Sequence, residues 1–383
     1  MNVTRITTAD ALADLAAPWN RLSQGMPFRS WDWLATWWRH YGSAGRLFTL
    51  AVWDEGGVLI AIAPWYLAWS HARGRLIRFL GSGEVCTDHQ TILCLPGFET
   101  TAARAIADEL TSRDSQTGKG RSEAETRWDL LELCGVDADE FIIGRLVGEL
   151  AGRGCGVHRR AGMSCWRLEL PETWEQYLQV LSKSTRKKVR RIEDRMLGTG
   201  RAVLHTVERP EELPRAVDQL IELHQRRWQS LGEPGCFASE AFANFHREVT
   251  SHLLRAGQLR LHLLALDGKV VAAEYDIQGA GTVYAYQSGV DPASLEEEPG
   301  RIMAVATFLR GIAEGNRGFD FLRGDEPYKA TWRAQPCPTV ELRISSPRTL
   351  PRMRQGAWVI GQTVKQWAQR GWLGPENQPH STI

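Results

Sequence analysis

The hydrophobic and polar positions of the chain predict strands and helices in an order that occurs twice. "RLFTLAVWDEGGVLIAIAPWYL" has the pattern of two strands around a polar turn at Asp54–Gly57, and "LRLHLLALDGKVVAAEYDIQG" repeats this hairpin around Asp267 and Gly268. A helix-like stretch and a buried strand come after each hairpin, "WDLLEL" in the first copy and "FDFLRG" in the second. This order predicts an internal duplication with a boundary near Cys165.

Two further segments show helical periodicity. In "LSKSTRKKVRRIEDRML", Ser184 or Ser182 can cap a helix on which Val189 and Ile192 recur at helical spacing. From Arg348 onward, apolar residues again recur at helical spacing among basic ones, which predicts an amphipathic C-terminal helix with a polar end. We expect this helix to dock onto the protein body, and contact with a membrane surface is the alternative.

Length and composition narrow the class of protein. The 383 residues are too many for one ordinary core and therefore fit two domains. With 43% hydrophobic residues, 24% charged residues and a formal net charge of +1, the chain has the composition of a soluble globular protein, and no DNA partner is expected. Its seven cysteines lack CxxC spacing, which argues against a disulfide framework and a zinc site. Neither a leader nor an apolar run of about eighteen residues occurs, so we expect a cytoplasmic protein.

The second copy differs from the first where its buried strand ends. There, "FDFLRG" is followed directly by Asp325, Tyr328, Lys329 and Trp332, all within eight positions. Carboxyl, phenol and amine groups in such a place are typical of a catalytic site, whereas a lysine after a strand is by default a surface residue. We interpret the cluster as functional because so many of these groups follow one strand end. Asp320, inside the strand, fits a structural hydrogen bond and a place in the site equally well.

Five motifs carry a resemblance to a known family: "PFRSWDWLATWW", "LHQRRW", "GVDP", "EPGRIM" and "FDFLRGDEPYKATW". On these motifs the second half resembles the GCN5-related N-acetyltransferase (GNAT) family, in the branch with BioF-like or CelD-type acetyltransferase domains. That branch is similar to the Fem-type aminoacyltransferases, which have two tandem copies of the fold. The resemblance implies an α/β protein of two tandem GNAT-like domains with mixed sheets flanked by helices. We expect a degenerate GNAT-like domain at 1–165, a catalytic one at 166–345, and an amphipathic helix with a tail at 346–383.

The resemblance implies an acyltransferase that moves an acyl group, in the first place acetyl, to an amine. Acetyl-CoA or another acyl-CoA would be the co-substrate, the acceptor would be a small molecule or a sugar-linked amine, and no metal would take part. The CelD-type branch further implies a link to exopolysaccharide or cell-envelope synthesis, with contact to a membrane surface or a polysaccharide-synthesis complex. Two alternatives stay open: a Fem-like transferase that uses aminoacyl-tRNA, and a non-catalytic accessory protein of polysaccharide synthesis.

Roles for individual residues follow from this chemistry. Lys329 would stabilise the oxyanion, and a proton route would use Asp325, Tyr328 and Glu274, which lies in an otherwise apolar strand. The residues expected to contact coenzyme A are Gly289, Val290, Pro299, Gly300 and Arg301.

The expected cofactor loop departs from the family pattern. The usual Arg/Gln-x-x-Gly-x-Gly/Ala loop before a helix binds pyrophosphate through free N–H groups and the helix dipole. Here only Pro299-Gly300-Arg301 opens the helix, and Glu296, Glu297 and Glu298 stand before it, where carboxylates repel phosphates. Pro and Gly at this place are also the ordinary signature of a helix start.

Substrate contacts are expected from three side chains with aromatic rings and from a run of basic residues before the second hairpin. A single histidine on a helix, such as His224, is more often a packing residue than a ligand contact. A basic run is often a solvated helix face, and the alternative here is that it binds a phosphate-bearing acceptor or tRNA. The candidate substrate-binding residues are Trp332, His224, Trp228, Arg186, Lys187 and Arg190.

Overall fold

A computed structural model describes residues 1–112 and 127–372. The strands of the first half are β1 Asn2–Ile6, β2 Gly45–Leu47, β3 Thr49–Trp53, β4 Leu59–Ala63, β5 Trp65–Ser70, β6 Gly74–Phe79, β7 Leu93–Cys94, β8 Leu130–Asp137 and β9 Gly156–Ala161. They are followed by β10 Cys165–Glu169, β11 Ala202–Thr206, β12 Leu259–Leu266, β13 Lys269–Gly279, β14 Thr282–Val290, β15 Gly318–Arg323, β16 Gln335–Cys337 and β17 Thr339–Ser345.

Helices flank these strands in both halves. The α-helices are α1 Ala9–Ala13, α2 Ala16–Leu22, α3 Trp31–Tyr41, α4 Glu99–Thr111, α5 Phe141–Gly152, α6 Trp174–Val180, α7 Lys183–Ile192, α8 Leu213–Ser230, α9 Glu240–Arg255, α10 Pro299–Ala313, α11 Tyr328–Thr331 and α12 Thr349–Trp372. The predicted cap of α7 is Ser182, whose Oγ accepts the Thr185 N–H at 3.2 Å. The helical path then continues as a π-helix over Glu193–Leu197.

The strands form three mixed or antiparallel sheets. Their orders are β1-β3-β4-β7, β2-β5-β6-β8-β17-β9 and β11-β12-β13-β14-β15-β10-β16. Both hairpins predicted from the sequence are present, because β3 pairs antiparallel with β4 and β12 with β13. Parallel pairing joins β6 to β8 in the first half and β14 to β15 in the second, so each half has a mixed sheet at the equivalent place.

The last strand corrects the expected grouping of the chain. Thr339–Ser345, which the sequence analysis places in the second domain, pairs with β8 and β9 in the six-stranded sheet of the first half. Its alternating Val340, Leu342 and Ile344 side chains are buried in the first half's core. The chain therefore returns to the first half, and the periodicity that predicts a strand carries no information on which sheet it joins.

The two halves share one aromatic seam. Trp33 of the Trp-rich α3 is fully buried, and its ring lies edge-on to Phe245 of α9 at 5.1 Å and to Tyr286 of β14 at 5.3 Å. Phe28 packs in the same way on Tyr284, with ring centroids 5.4 Å apart. Trp33 and Phe28 thus pack between the halves through edge-to-face aromatic contacts.

Two further expectations concern helices and cysteines. None of the helices in the described ranges is long and apolar enough to span a bilayer. The C-terminal α12 docks through Trp358, whose ring lies 3.9 Å from the Arg343 guanidinium and 5.4 Å from the His158 ring. Residues of the predicted tail beyond 372 lie outside the described ranges. All seven cysteines are free thiols.

Candidate active site at the diverging strands

The sheet of the second half opens between β14 and β15. Their parallel pairing joins Thr282 to Gly318, Val283 to Phe319 and Tyr284 to Asp320, and it ends there although the strands continue to Val290 and Arg323. A register shift between β13 and β14 makes Tyr286 the extra residue just beyond this point. The strands therefore diverge after Tyr284 and Asp320, and the backbone groups of β14 on this side are available to a ligand.

One face of the opening carries a pair of acidic residues. On β13, Ala273 and Tyr275 face the core shared by the two halves, so Glu274 and Asp276 point to the opposite face, toward α10. Burial raises the pKa of Glu274 to about 7 and raises the pKa of Asp276 well above its ordinary value, with the Glu274 charge as the next cause for Asp276. Two like charges on alternate residues of a buried strand are not ionised together, so Asp276 holds its proton and Glu274 titrates near neutrality.

Tyr328 and Asp325 lie on the exposed rim of this face. Tyr328 begins α11 and is about half exposed, with its ring 5.9 Å from that of Phe321. Desolvation raises the pKa of Tyr328, and the carboxylates of Glu326 and Glu274 raise it further, which places Glu274 within electrostatic reach. Asp325 is exposed and accepts a hydrogen bond from Trp166 Nε1 at 3.0 Å. The structure thus brings Tyr328 toward Glu274 and ties Asp325 to a different partner.

Lys329 is buried beneath the rim. The residue is only 2% exposed, and its Nζ donates to the carbonyl oxygens of Leu322, Arg323 and Gly324 at 3.2, 3.2 and 2.9 Å. Nζ also lies 2.8 Å from Glu326. The ammonium therefore binds the backbone where β15 ends, and an oxyanion role would require it to exchange one of these partners for the donor's carbonyl. That role stays a prediction.

The opposite face of the opening is built by both halves. His89, on a loop of the first half, places Nε2 3.2 Å from Asp320 and Nδ1 2.9 Å from Asp137. Burial opposes the charge on this ring, yet hydrogen bonds to Asp137, Asp320 and Cys165 raise the pKa of His89 well above 6.5. His89 is therefore an imidazolium between two carboxylates, one from each half, at the point where β14 and β15 separate. For Asp320, a structural hydrogen bond and a place in the site were both considered, and both are observed. Its carboxylate accepts the Leu322 N–H and also contacts His89.

The same cluster is the place where a metal ion would find donors. Atoms of His89, Cys165 and Asp320 lie within 4.8 Å of one another, the one group of this kind in the ranges that the structure describes. The contacts at His89 are those of an ion-paired imidazolium, and we assign no metal to them. Next to it, Arg323 Nε donates to Asp88 at 2.7 Å, which adds another ion pair between the halves beside the opening.

The comparisons with known proteins agree with this geometry. Residues 183–330 match the family model described as an acetyltransferase (GNAT) domain. This segment is a GNAT acyltransferase domain. The match confirms the family expected from the sequence and the acyltransferase class of the second half. No curated protein matches the chain significantly in sequence.

Solved structures extend the likeness to both halves. The crystal structure of FemX is similar over 92% of this chain and 99% of its own, with 12% identity and a TM-score of 0.60. A conserved protein of unknown function from Bacteroides thetaiotaomicron covers 90% of this chain and 100% of its own, at 13% identity and a TM-score of 0.54. The C-terminal domain of a protein assigned as a lysylphosphatidylglycerol synthetase, from Agrobacterium fabrum, covers 93% and 98%, at 10% identity and a TM-score of 0.51. The chain thus has the predicted fold of two tandem GNAT-like domains.

Within the GNAT domain, the loop before α10 was expected to bind the cofactor, but some of its N–H groups already have acceptors in the protein. Glu298, a left-handed residue at φ 51°, precedes α10, and its carbonyl accepts the N–H groups of both Arg301 and Ile302. The Arg301 guanidinium pairs with the Glu298 carboxylate at 2.6 Å. Pro299 is buried, whereas Gly300 faces open space. The loop itself thus provides the acceptor for the Arg301 and Ile302 N–H groups and the partner of the Arg301 side chain.

Two predicted ligand residues have packing roles. A Cβ on Gly289 would lie 2.4 Å from the backbone nitrogen of His224, so glycine is required there for β14 to approach α8. His224 is 2% exposed and packs edge-on against Phe237 with centroids 4.9 Å apart, while burial lowers its pKa. Val290 ends β14 and is partly buried, and Trp228 is 41% exposed one helical turn beyond His224. Trp228 is thus open to a ligand contact, whereas the side of Gly289 that faces α8 is filled, and a contact to its backbone stays a prediction.

The remaining predicted substrate contacts fall into the core or onto an exposed helix. Trp332 is 4% exposed and packs on Phe308, with ring centroids 5.2 Å apart. Arg186 donates to the carbonyl oxygens of Gln179 and Leu181, which makes it a cap of the preceding turn. Lys187 and Arg190 are exposed on the basic face of α7. Their role in binding stays a prediction.

The sequence analysis missed the contribution of the first half. Asp88 and His89 are 231 or more positions from their partners in β15, so no local pattern predicts the contact. A signal was present in "CTDHQT", a run of polar residues after the strand β6, and the structure shows Thr87, Asp88, Gln90 and Thr91 to be buried. Buried polar residues on a loop indicate a function or a specific partner.

Proposed function

We propose that this protein transfers an acyl group from a coenzyme A thioester to an amine of a small-molecule or sugar-linked acceptor. The observation that carries the proposal is the divergence of β14 and β15 after Tyr284 and Asp320 inside the GNAT domain. Backbone N–H groups freed there are suited to bind the thioester carbonyl and its developing oxyanion. The link to exopolysaccharide or cell-envelope synthesis rests on the CelD-type resemblance alone.

In the proposed mechanism, the amine nitrogen bonds to the thioester carbon and the carbon–sulfur bond breaks. Glu274 accepts the proton that the amine loses, because its pKa of about 7 makes it a base that is available and still basic near neutral pH. Tyr328, at the rim toward Glu274, supplies a proton to the departing thiolate.

Replacing Glu274 tests the base. We expect Glu274→Gln to lower kcat/KM about 100-fold, the usual contribution of a positioned general base. In the wild type, activity should rise as pH increases through about 7, because Glu274 must lose its proton to act, and this rise should disappear in the variant. Glu233→Gln, on the exposed turn after α8, is the matched control. An unchanged pH profile in Glu274→Gln would remove Glu274 from the mechanism.

A second donor, aminoacyl-tRNA, is favoured by two observations. Glu296, Glu297 and Glu298 give the expected pyrophosphate loop a negative charge, and the Arg301 and Ile302 N–H groups at the start of α10 already bond to the Glu298 carbonyl. In addition, α7 presents an exposed basic face, on which Lys187 and Arg190 lie, that would attract a polyanion. Under this alternative, the same opening in the sheet would hold an ester of tRNA instead of a thioester.

Titration with acetyl-CoA separates the two donors. If the pyrophosphate lies at the start of α10, we expect wild-type binding and about fivefold tighter binding by Glu298→Gln, because a nearby like charge is removed without changing the side-chain length. Glu233→Gln should leave the affinity unchanged. Failure to bind acetyl-CoA at millimolar concentration would contradict the first donor. Salt-sensitive binding of charged tRNA, weakened by Lys187→Gln, would then support the second, and binding of neither would favour an accessory protein.

A further inference from the structure

The open face of the first half's six-stranded sheet carries a cavity of about 530 Å³. One face of this sheet is covered by α4 and α5, and the residues that alternate with that core point to the other face. There, α12 crosses with Trp358, and the loop before His89 closes the side toward the second half. The volume lies in the usual range for a small-molecule site. We call this cavity the arginine pocket.

The lining of the arginine pocket has an excess of positive charge. Its charged residues are five arginines and two glutamates: Arg73, Arg78, Arg160, Arg323, Arg343, Glu132 and Glu341. Glu132 alone receives three guanidinium groups, from Arg73 at 3.2 Å, from Arg343 at 2.5 Å and from Arg78. One carboxylate does not neutralise three cations, so the pocket wall keeps an uncompensated positive charge.

Two of these arginines have donors that nothing in the described ranges accepts. The Nε atoms of Arg78 and Arg343 are buried without a hydrogen-bond partner, and the Arg343 residue is only 8% exposed. Burial lowers the pKa of Arg343, and the charges of Arg73 and Arg160 lower it further. A buried, charged donor without an acceptor is costly, so an anion held at the pocket wall would stabilise these two guanidinium groups through its charge.

The arginine pocket reaches the reaction site through one residue. Arg323 ends β15, three residues after Asp320, and it lines the pocket together with Thr87 and Gln90 of the loop that carries His89. The Trp358 ring lies on the Arg343 guanidinium at 3.9 Å and forms an apolar wall. A molecule anchored in the pocket could therefore extend past Arg323 to the opening between β14 and β15.

We propose that the arginine pocket binds an anionic group of the acceptor, a phosphate or a carboxylate, and so holds the acceptor's amine toward the diverging strands. The identification of the ligand as the acceptor rests on the proposed function, whereas the binding of an anion does not. The planar guanidinium forks of Arg78 and Arg343 match both groups, and the neighbouring Trp358 suits a sugar or an aliphatic part next to the anion.

Calorimetric titration of the full-length protein with inorganic pyrophosphate and, separately, with succinate tests the pocket. We expect one of these anions to bind, about tenfold more weakly to Arg343→Gln, because a charge-assisted donor is lost. Glu341→Gln, at the rim, should bind the same anion more tightly because it removes a competing carboxylate from Arg160. Arg104→Gln, an exposed arginine on α4, is the matched control and should bind as the wild type does.

The outcomes separate this proposal from the proposed function. Pyrophosphate binding identifies the anion as a phosphate, and succinate binding identifies it as a carboxylate. No binding of either, or equal affinity in all four proteins, would overturn the proposal, and Glu341→Gln decides the matter if Arg343→Gln does not fold. Each protein is also titrated with acetyl-CoA. Anion binding without acetyl-CoA binding refutes only the thioester donor, whereas acetyl-CoA binding that Arg343→Gln abolishes would assign the pocket to the donor and overturn the acceptor assignment.

Discussion

Lys329→Met is expected to lower the free energy of unfolding by about 3–5 kcal/mol. The ammonium of Lys329 donates to three consecutive carbonyl groups at the end of β15, and the residue is 2% exposed. Methionine fills a similar volume but provides no donor, so these buried carbonyl oxygens would lose their partner. The ion pair with Glu326 contributes little to the loss, because that carboxylate is 47% exposed.

Chemical denaturation measures this effect, with Lys187→Met on the exposed face of α7 as the control. Kinetics on the same preparations distinguish the structural role from the catalytic one that the sequence predicts. A lowered unfolding midpoint, with turnover retained where the variant is folded, would identify Lys329 as a support of the β15 end. An unchanged midpoint together with lost turnover would instead establish the ammonium as a group that acts on the substrate.

Local chemistry explains why much of the fold was predictable. The hairpin turns at Asp54–Gly57 and at Asp267-Gly268 depend on residues adjacent in sequence, and the structure has both. The same holds for the Ser182 cap of α7. Each of these features is determined by interactions within a few residues, which is the range that a hydrophobic pattern or a turn motif describes.

Features that depend on long-range packing were not predictable in the same way. Thr339–Ser345 was expected in the domain at 166–345, but its strand partners β8 and β9 belong to the first half and are more than 170 residues away. Gly289 was expected to serve a cofactor, and the structure gives a packing reason for it, since a Cβ would collide with the backbone of His224. A motif identifies the residue type that a position requires, and only the packed structure shows which neighbour imposes it.

His89 is expected to contribute to stability in a pH-dependent way. Hydrogen bonds to Asp137 and Asp320 raise the pKa of His89 well above 6.5 in spite of burial, so folding favours its protonated form. The stabilisation is therefore complete below about pH 6.5 and is lost as pH rises through the raised folded-state pKa. Burial opposes the charge on Asp137, but the contact with His89 lowers the pKa of Asp137 below 3.8. The stabilisation that Asp137 contributes is therefore lost as the solution becomes strongly acidic. The link between the halves should be strongest between about pH 4 and pH 6.5.

Replacing His89 with Gln should lower the free energy of unfolding by about 3–5 kcal/mol at pH 6, because the carboxylates of Asp137 and Asp320 lose the cation between them. The difference from the wild type should shrink at alkaline pH, where His89 is neutral in both states. Adding Asp320→Asn should recover part of the loss, since the amide needs no counter-charge and can still bind the Leu322 N–H through its oxygen. His71→Gln, at an exposed position of the first half, is the control.

Unfolding measured across this pH range decides whether His89 joins the two halves by charge or by packing alone. A loss that is the same at pH 6 and at alkaline pH would mean that His89 acts through shape, as the aromatic contacts of Trp33 do. A loss confined to the lower pH would mean that the imidazolium holds the first half's loop against β15. In that case the pH at which the link weakens is also the pH at which the opening between β14 and β15 loses one of its walls, so stability and turnover should decline together.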